Sequence, residues 1–371
     1  MIRSVILFTG SLHAGGLERF VTRVAVGAAK SNAFYPIIVC LEKKEGIFLR
    51  ELEQSGITVL EAPHGWQRSV WSLLRLRRMI KDLHPAVVHS QVNFSLLQQW
   101  LACRRTGAHF MVTERNMYPL KGWDRIRRIF QFYLLFLAGV KYSANSADVA
   151  EHLSKLLYFP SRKIKVIPNG ITLPEINSDF RIESRQKLGF NERDFVVGYV
   201  ARFAAQKGHL FFLQVMGILR NYLDSQIKVC FVGNGPLRER VEQEVHQLRL
   251  SDCVSFTGTV SDLSHYYSAF DCLALLSKYE GMPNVVLEAM SYALPVVANP
   301  AGNTEELLMD DCGMINRSED PEETAQLFLK LAKNPALREY YGQRARQKVG
   351  SQYSMDRILT LLCNEYEFLK N

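Results

Sequence analysis

Short β-branched and aromatic runs alternate with amphipathic stretches along almost the whole chain, and that alternation constrains the fold more than anything else. In the first half the runs are Val5–Phe8, Tyr35–Leu41, Ile57–Leu60, Ala86–Ser90, His109–Thr113 and Val140–Ala144. In the second they are Phe195–Val200, Lys228–Val232, Val254–Thr257, Cys272–Leu276, Pro295–Ala298 and Gly313–Ile315. Between them, stretches such as Leu17–Ala29, Leu210–Leu219, Leu237–Leu248 and Pro321–Leu331 keep apolar residues at helical spacing. Continuously apolar strands joined by helices predict an α/β fold of doubly wound parallel sheets with helices on both faces. Residues 172–194 break the rhythm and read as a linker. The chain of 371 residues is then two Rossmann-like domains, 1–171 and 195–351, with a terminal helix over 352–371 packing back on the first. Ligands of such sheets bind at the carboxyl ends of the strands, so two facing domains predict a cleft between them.

Composition excludes several classes. At 47% apolar and 22% charged residues, each half can bury a core of its own, so disordered, collagen-like and disulfide-framework chains are ruled out. The seven cysteines are widely spaced with no C-x-x-C, which predicts small core residues in a reducing compartment and no zinc site. The N-terminal apolar stretch is too short for a signal peptide, and Phe130–Val140 is far short of the ~20 residues that span a bilayer. A cytoplasmic protein is expected. Net charge is +8, but residues 1–175 hold 24 Lys/Arg against 12 Asp/Glu while 176–371 hold 21 against 25. The first half is therefore expected to face something anionic.

Lys278-Tyr-Glu-Gly-Met-Pro-Asn-Val-Val-Leu-Glu-Ala-Met290 is the strongest chemical signal. A strand runs into a loop with Glu280 and Gly281, and Pro283 is predicted in the first turn of the next helix. The backbone amides of Asn284 and Val285 then form an anion site aided by the helix dipole. Glu280 precedes the helix and Glu288 lies about one turn into it, so both can flank one ligand. Taken alone, two carboxylates are more often a solvated loop and helix face.

The full element, E-G-x-P-N-x-x-x-E-A-M, resembles the signature of the family 4 retaining glycosyltransferases, which have the two-domain GT-B fold. The resemblance extends over nearly all of the chain. Gly15-Gly16-Leu17-Glu18, after the first strand, resembles the family's Gly-Gly loop, although a glycine pair also marks an ordinary turn. Val166-Ile-Pro-Asn-Gly-Ile171 matches the stretch before the linker. Val200-Ala-Arg-Phe-Ala-Ala-Gln-Lys-Gly208 resembles a G-R-x-x-x-x-K-G segment, which implies that Arg202 and Lys207 grip the donor diphosphate. The resemblance further assigns Gly281, Met282, Pro283, Asn284 and Val285 to the donor, Glu288 to the ribose hydroxyls and Glu280 to the donor sugar as the catalytic carboxylate.

Gly233 belongs to Val232-Gly-Asn-Gly-Pro236, a dinucleotide-like turn in which Arg238 replaces the third glycine. That weakens a dehydrogenase reading; the resemblance instead places this loop, with Phe256-Thr-Gly-Thr259, around the nucleotide base. Ala301-Gly302-Asn303-Thr304-Glu305 resembles a G-G-x-x-E loop with one glycine replaced. In Val87-Val-His-Ser-Gln91, His89 is the candidate active-site histidine, although Gln91 stands where a second His is common and a strand-end His is often scaffold. Glu114, Arg115 and Asn116 resemble an E-R-N variant of members that build lipid-linked or capsular glycans, and are expected on the acceptor side.

Basic residues accompany exposed-type aromatics in two stretches. One holds Trp66, Arg68, Trp71, Arg75, Arg77, Arg78 and Lys81; the other holds Lys121, Trp123, Arg125, Arg127 and Arg128. They predict contact with an anionic membrane surface, against the plainer reading of a helix with Leu73, Leu74, Leu76 and Ile80 inward. No nucleic-acid motif accompanies them, and no nucleic-acid partner is expected. The chain lacks a D-x-D, so no metal or cofactor is expected. The implied activity is transfer from a nucleotide-diphosphate sugar, a UDP-sugar, to a lipid-linked or growing cell-surface glycan. A GT-B-like sugar-nucleotide epimerase and a non-catalytic nucleotide-sugar-binding relative are the alternatives.

Overall fold

A computed structural model describes residues 4–369 apart from 14, 68, 116–121 and 224–225. The chain forms two compact units, one of residues 1–170 with 355–371 and one of residues 171–354.

The first unit is built on seven parallel strands: β1 (Ser4–Thr9), β2 (Tyr35–Cys40), β3 (Thr58–Glu61), β4 (Val87–Ser90), β5 (His109–Glu114), β6 (Lys141–Ala144) and β7 (Lys165–Val166). Their order is β3-β2-β1-β4-β5-β6-β7. Six helices follow in sequence: α1 (Gly16–Ser31), α2 (Leu49–Gln54), α3 (Val70–Leu83), α4 (Leu96–Cys103), α5 (Gly122–Leu137) and α6 (Ala147–Leu157). One face of the sheet packs on α3 to α6 through residues such as Leu76, Ile80, Leu96, Phe132 and Leu153. The other packs on α1 and α2 through Phe20, Val21, Val24 and Leu52. Both faces are covered, which is why Val5 to Phe8 are all buried and the strand reads as an unbroken apolar run.

The second unit has six parallel strands: β8 (Phe195–Val200), β9 (Ile227–Val232), β10 (Val254–Gly258), β11 (Cys272–Leu275), β12 (Val296–Ala298) and β13 (Gly313–Ile315), in the order β10-β9-β8-β11-β12-β13. Its helices are α7 (Ser178–Leu188), α8 (His209–Leu223), α9 (Arg238–Gln247), α10 (Ser264–Ala269), α11 (Asn284–Ser291), α12 (Thr304–Leu308), α13 (Pro321–Lys333) and α14 (Pro335–Gln352). Start signals are explicit at α13, where the Asp320 side chain accepts the Glu322 amide and Pro321 fills the first turn.

The last helix, α15 (Met355–Phe368), belongs to the first unit. Met355, Ile358, Leu359, Leu362 and Tyr366 form its buried stripe, against the same cluster as α1. Each fully buried side chain of this size contributes about 1.5–3 kcal/mol, so the docking does not need charge.

Residues 172–194, read as linker, contain α7. Its surface is polar, and an apolar stripe does not hold it. Arg185 donates to the carbonyls of Ala269, Asn191, Glu192 and Asp194 and pairs with Asp271 at 2.5 Å. Arg181 pairs with the other oxygen of Asp271 at 2.7 Å. The Asn177 side chain caps the helix by accepting the Asp179 amide. Hydrophobic periodicity does not detect a helix attached by guanidinium bonds. Replacing Asp271 by Ala strands the buried Arg185 charge and is expected to destabilise the second unit by about 3–5 kcal/mol, measured by urea unfolding against Leu188→Ala as a packing control.

Candidate active site

Strand order reverses between β8 and β11, and the chain leaves both strands at their carboxyl ends. That places Arg202 and Lys207 on the loop after β8 beside Glu280 and Gly281 on the loop after β11, the usual location of ligands in open α/β sheets. The loops are joined by backbone bonds. The Lys278 amide donates to the Gln206 carbonyl at 2.8 Å, and the Gln206 amide group donates to the Tyr279 carbonyl at 2.5 Å. The Tyr199 hydroxyl donates to the Lys207 carbonyl. Gly208 turns at φ +69°, and a Cβ there would sit 2.2 Å from the Leu276 carbonyl oxygen. The glycine that ends the Arg–Lys segment is therefore required for close approach of the two loops.

A third loop buttresses Glu280 from behind. The Asn303 amide donates to the Gly281 carbonyl at 3.1 Å. Gly302 adopts φ +57°, and a Cβ on it would lie 2.2 Å from the same carbonyl oxygen. The single glycine kept in Ala301-Gly302 is thus the one that the contact demands. On the other flank, Ala201 and Phe203 donate to the carbonyls of Val232 and Asn234, tying the Gly233 loop after β9 to the Arg202 loop.

Lys207 and Glu280 meet as an ion pair at 2.5 Å, each side chain largely shielded. Arg202 is exposed, and its guanidinium meets no acceptor among the described residues. Pro283 is the residue just before α11 rather than in its first turn, and its carbonyl accepts the Val286 amide at 3.1 Å. Pro283 offers this helix no side-chain cap. Met282 and Asn284 are buried, and Val285 is half-buried. Glu288 is buried inside α11, where its carboxylate accepts the Tyr267 hydroxyl at 2.6 Å.

Sequence reasoning passed over a further set of residues. Buried polar atoms without partners in the second unit, among the described residues, are both ring nitrogens of His209, Oγ of Ser277 and Oδ1 of Asn303. Ser277 and Asn303 lie in the loops around Glu280, and His209 opens α8 directly after Gly208. Such orphans are uncommon, and a bound water, ion or ligand can supply the missing bond. A Ser after a strand and an Asn in a loop carry no sequence signal of this kind. His209 stacks on Phe203 at 4.4 Å, and burial pulls its imidazole down to about 4.

The first unit holds the remaining candidates. Gly15 precedes α1 in extended backbone and Gly16 is its first residue. Arg115 follows β5, stacks its guanidinium 3.8 Å over Phe20 and donates to Gln91 at 2.8 Å and Asn169 at 2.6 Å. Burial pulls it down to about 9, while Glu18 and Tyr366 oppose that. Burial likewise raises the Glu18 carboxyl. Glu114 accepts from Arg128 and Asn93, both at 2.5 Å, and from the Arg115 backbone amide at 3.4 Å. Asn116, Lys121 and Arg68 lie outside the described residues.

Two expectations change. His89, expected to be catalytic, is buried with Nδ1 on the Tyr366 hydroxyl at 2.7 Å and Nε2 on the Thr113 hydroxyl at 2.6 Å. Both nitrogens are occupied and the ring has no open face for a substrate, so it fixes α15 to the sheet as a positioning residue. Arg128, expected among the exposed membrane-facing charges, has its guanidinium spent on Glu114 inside the fold. Leu74, inward in the plainer reading of α3, is exposed, as are Val70 and Trp71.

Two family models match the chain: one described as Glycosyl transferases group 1, over residues 180–348, and one described as Glycosyltransferase Family 4, over residues 14–174. The Vi polysaccharide biosynthesis protein VipC/TviE of Salmonella typhi is 23% identical over 365 residues, covering 84% of this chain and 63% of that protein. The UDP-Gal:alpha-D-GlcNAc-diphosphoundecaprenol alpha-1,3-galactosyltransferase of Escherichia coli is 28% identical over 244 residues, 62% of each. The chain thus spans just under two thirds of the length of these relatives. The crystal structure of HepE from Anabaena in complex with UDP and glucose superposes with a TM-score of 0.82 at 19% identity, over 98% of this chain and 99% of that one. At that identity the likeness is one of fold.

Burial holds His89 down to about 3 in the folded chain, against about 6.5 when unfolded. The unfolded state therefore binds the extra proton first, so stability is intact above pH 6.5 and falls as pH drops below it. Each such histidine contributes a slope of up to about 1.4 kcal/mol per pH unit. Urea unfolding between pH 7 and 4.5 is expected to show a shallower acid loss in His89→Gln than in the parent; equal slopes would contradict the buried neutral ring.

Proposed function

From a chain that belongs to the family 4 type of GT-B glycosyltransferases, we propose a retaining, metal-independent hexosyltransferase. It moves a sugar from a UDP-sugar to a lipid-linked or growing cell-surface glycan. The observation that carries this reading is the meeting of Arg202, Lys207, Glu280 and the start of α11 at one strand-order reversal, beside buried polar atoms of His209, Ser277 and Asn303 that lack partners.

The second unit takes the donor. Arg202, with no competing partner, and Lys207, which exchanges Glu280 for phosphate, hold the diphosphate together with the amides of Asn284 and Val285. Their charge grows in value as the diphosphate departs, which is where fixed donors accelerate a reaction. Glu280, released from Lys207, lies against the donor sugar and supports the oxocarbenium-like transition state. Glu288, oriented by Tyr267, takes the ribose hydroxyls, and the Gly233 loop lies along the base. Gly15 and Gly16 are further donor-binding candidates, and Glu114, Arg115 and Asn116 are assigned to the acceptor. Of these, Arg115 and Glu114 are already engaged and act by shaping the site.

The UDP donor is supported by the UDP and glucose bound in HepE. The lipid-linked acceptor is supported by the name of the Escherichia coli relative, whose acceptor is a GlcNAc-diphosphoundecaprenol. No helix among the described residues is long and apolar enough to cross a membrane. The excess of basic residues in the first half fits work at the anionic inner face of the plasma membrane.

Nucleotide release from a panel of sugar nucleotides, with and without bacterial membrane lipid extract, tests the reading directly. Release from one donor that rises with extract is the expected result; product formed with no acceptor present would favour an epimerase. Glu280→Gln is expected to lower kcat by about 100-fold or more while UDP affinity changes little, and equal loss of both would remove its assigned role. Arg202→Ala is expected to weaken UDP binding by about tenfold or more in isothermal titration; an unchanged affinity would contradict the diphosphate site.

A further inference from the structure

Helix α5 is apolar on two faces. Phe132 and Leu135 point into the core of the first unit. On another side Trp123, Ile126, Phe130, Leu134 and Leu137 follow one another at steps of three, four, four and three residues, which is a single helical stripe. Trp123 is 84% exposed, Phe130 70% and Leu137 82%. A stripe of this size left in water marks an interaction surface.

A cavity of about 670 Å³ opens among α4, α5 and α6, within the range of sites that hold small molecules. Phe94, Leu97, Phe130, Leu134, Leu153 and Leu156 supply its apolar wall. Phe130 and Leu134 belong to both the wall and the outer stripe, so the cavity is continuous with the exposed face. At its polar end Glu114 is paired with Arg128 and bonded by Asn93, and at its exposed rim Asp124 is paired with Arg127, so both carboxylates are matched by cations. Arg162 and Lys163 are exposed after α6. Tryptophan and basic residues bordering an apolar stripe match the headgroup layer of an anionic bilayer.

We propose that this cavity seats the hydrocarbon chain of the lipid-linked acceptor, which enters it from a bilayer on which the outer stripe of α5 lies. The assignment rests on the transferase reading above only in naming the chain as the acceptor's. The apolar wall binds by removing methylenes from water, the rim fixes the helix to the headgroups, and no ion pair has to break.

The test uses the full chain and a photoreactive diazirine analogue of farnesyl monophosphate in vesicles of phosphatidylglycerol and phosphatidylcholine. Labelling is expected on peptides containing residues 126–134 and 153–156. Leu97→Trp, which fills the cavity from α4, is expected to reduce that labelling about tenfold while sedimentation with vesicles is unchanged. Leu156→Phe is the second filling variant, and thermal unfolding with UDP affinity reports whether each is folded. Trp123→Ser with Leu137→Ser is expected to cut sedimentation about tenfold. Label confined to Trp123 and Leu137, or label indifferent to both folded filling variants, overturns the cavity as the seat. Sedimentation indifferent to the double serine variant overturns the α5 contact. Nucleotide release with membrane lipid extract separates the two readings. Release without cavity labelling removes this proposal alone, whereas labelling without release from any donor removes the transferase and with it the naming of the chain as the acceptor's.

Discussion

Burial of a parallel sheet on both faces is the constraint on which everything else depends. Strands hidden under helices satisfy their backbone within the sheet and leave chemistry only at their ends. In the second unit the strand order then turns outward from β8 and β11, which leaves a gap between the loops that follow them. That gap collects the cations of one loop and the carboxylate of the other. Backbone bonds from Lys278 to Gln206 and from Asn303 to Gly281 keep three loops in contact, so Glu280 stands on a rigid support although it lies outside any regular element.

Buried polar groups in this chain divide by whether their bonds are complete. Asp271 with Arg181 and Arg185, and His89 with Tyr366 and Thr113, have their bonding met within the fold. These groups attach α7 and α15 to their sheets. Ser277, Asn303 and His209 hold atoms with unmet bonding capacity, and they surround the proposed donor site. An unpaired buried polar atom is costly; Gln99, Tyr142 and Asn145 of the first unit hold such atoms as well, so what distinguishes those at the donor site is their grouping beside Glu280. Arg115 lies between the two kinds: it is buried and well bonded, yet it sits where β5 ends, beside the Gly-Gly loop.

The first unit adds a surface whose apolar content exceeds what its core uses. α5 contributes Phe132 and Leu135 to the interior and a second stripe to the outside. In sequence the two merge into one apolar run from Phe130 to Val140, which reads simply as hydrophobic. Only the orientation of the helix separates residues that stabilise the fold from residues left for a partner.

Much of the fold was legible because its causes are local. Apolar runs such as Val5–Phe8 and Phe195–Val200 specify buried strands, and Pro321 behind Asp320 specifies a helix start, whatever surrounds them. Spacing also grouped Glu280 through Glu288 and assigned the loop of Arg202 and Lys207. α7 was not legible, because guanidinium bonds to distant carbonyls have no period in sequence. Neither was the burial of His89, whose partners lie 24 and 277 residues away, nor the pairing of Arg128 with Glu114. The sequence by itself determined the elements, their class and the residue types brought to the strand ends, since these depend on periodicity and backbone preference. Tertiary structure alone decided which charges are spent on one another and which stand open, because that depends on contacts between segments far apart in the chain.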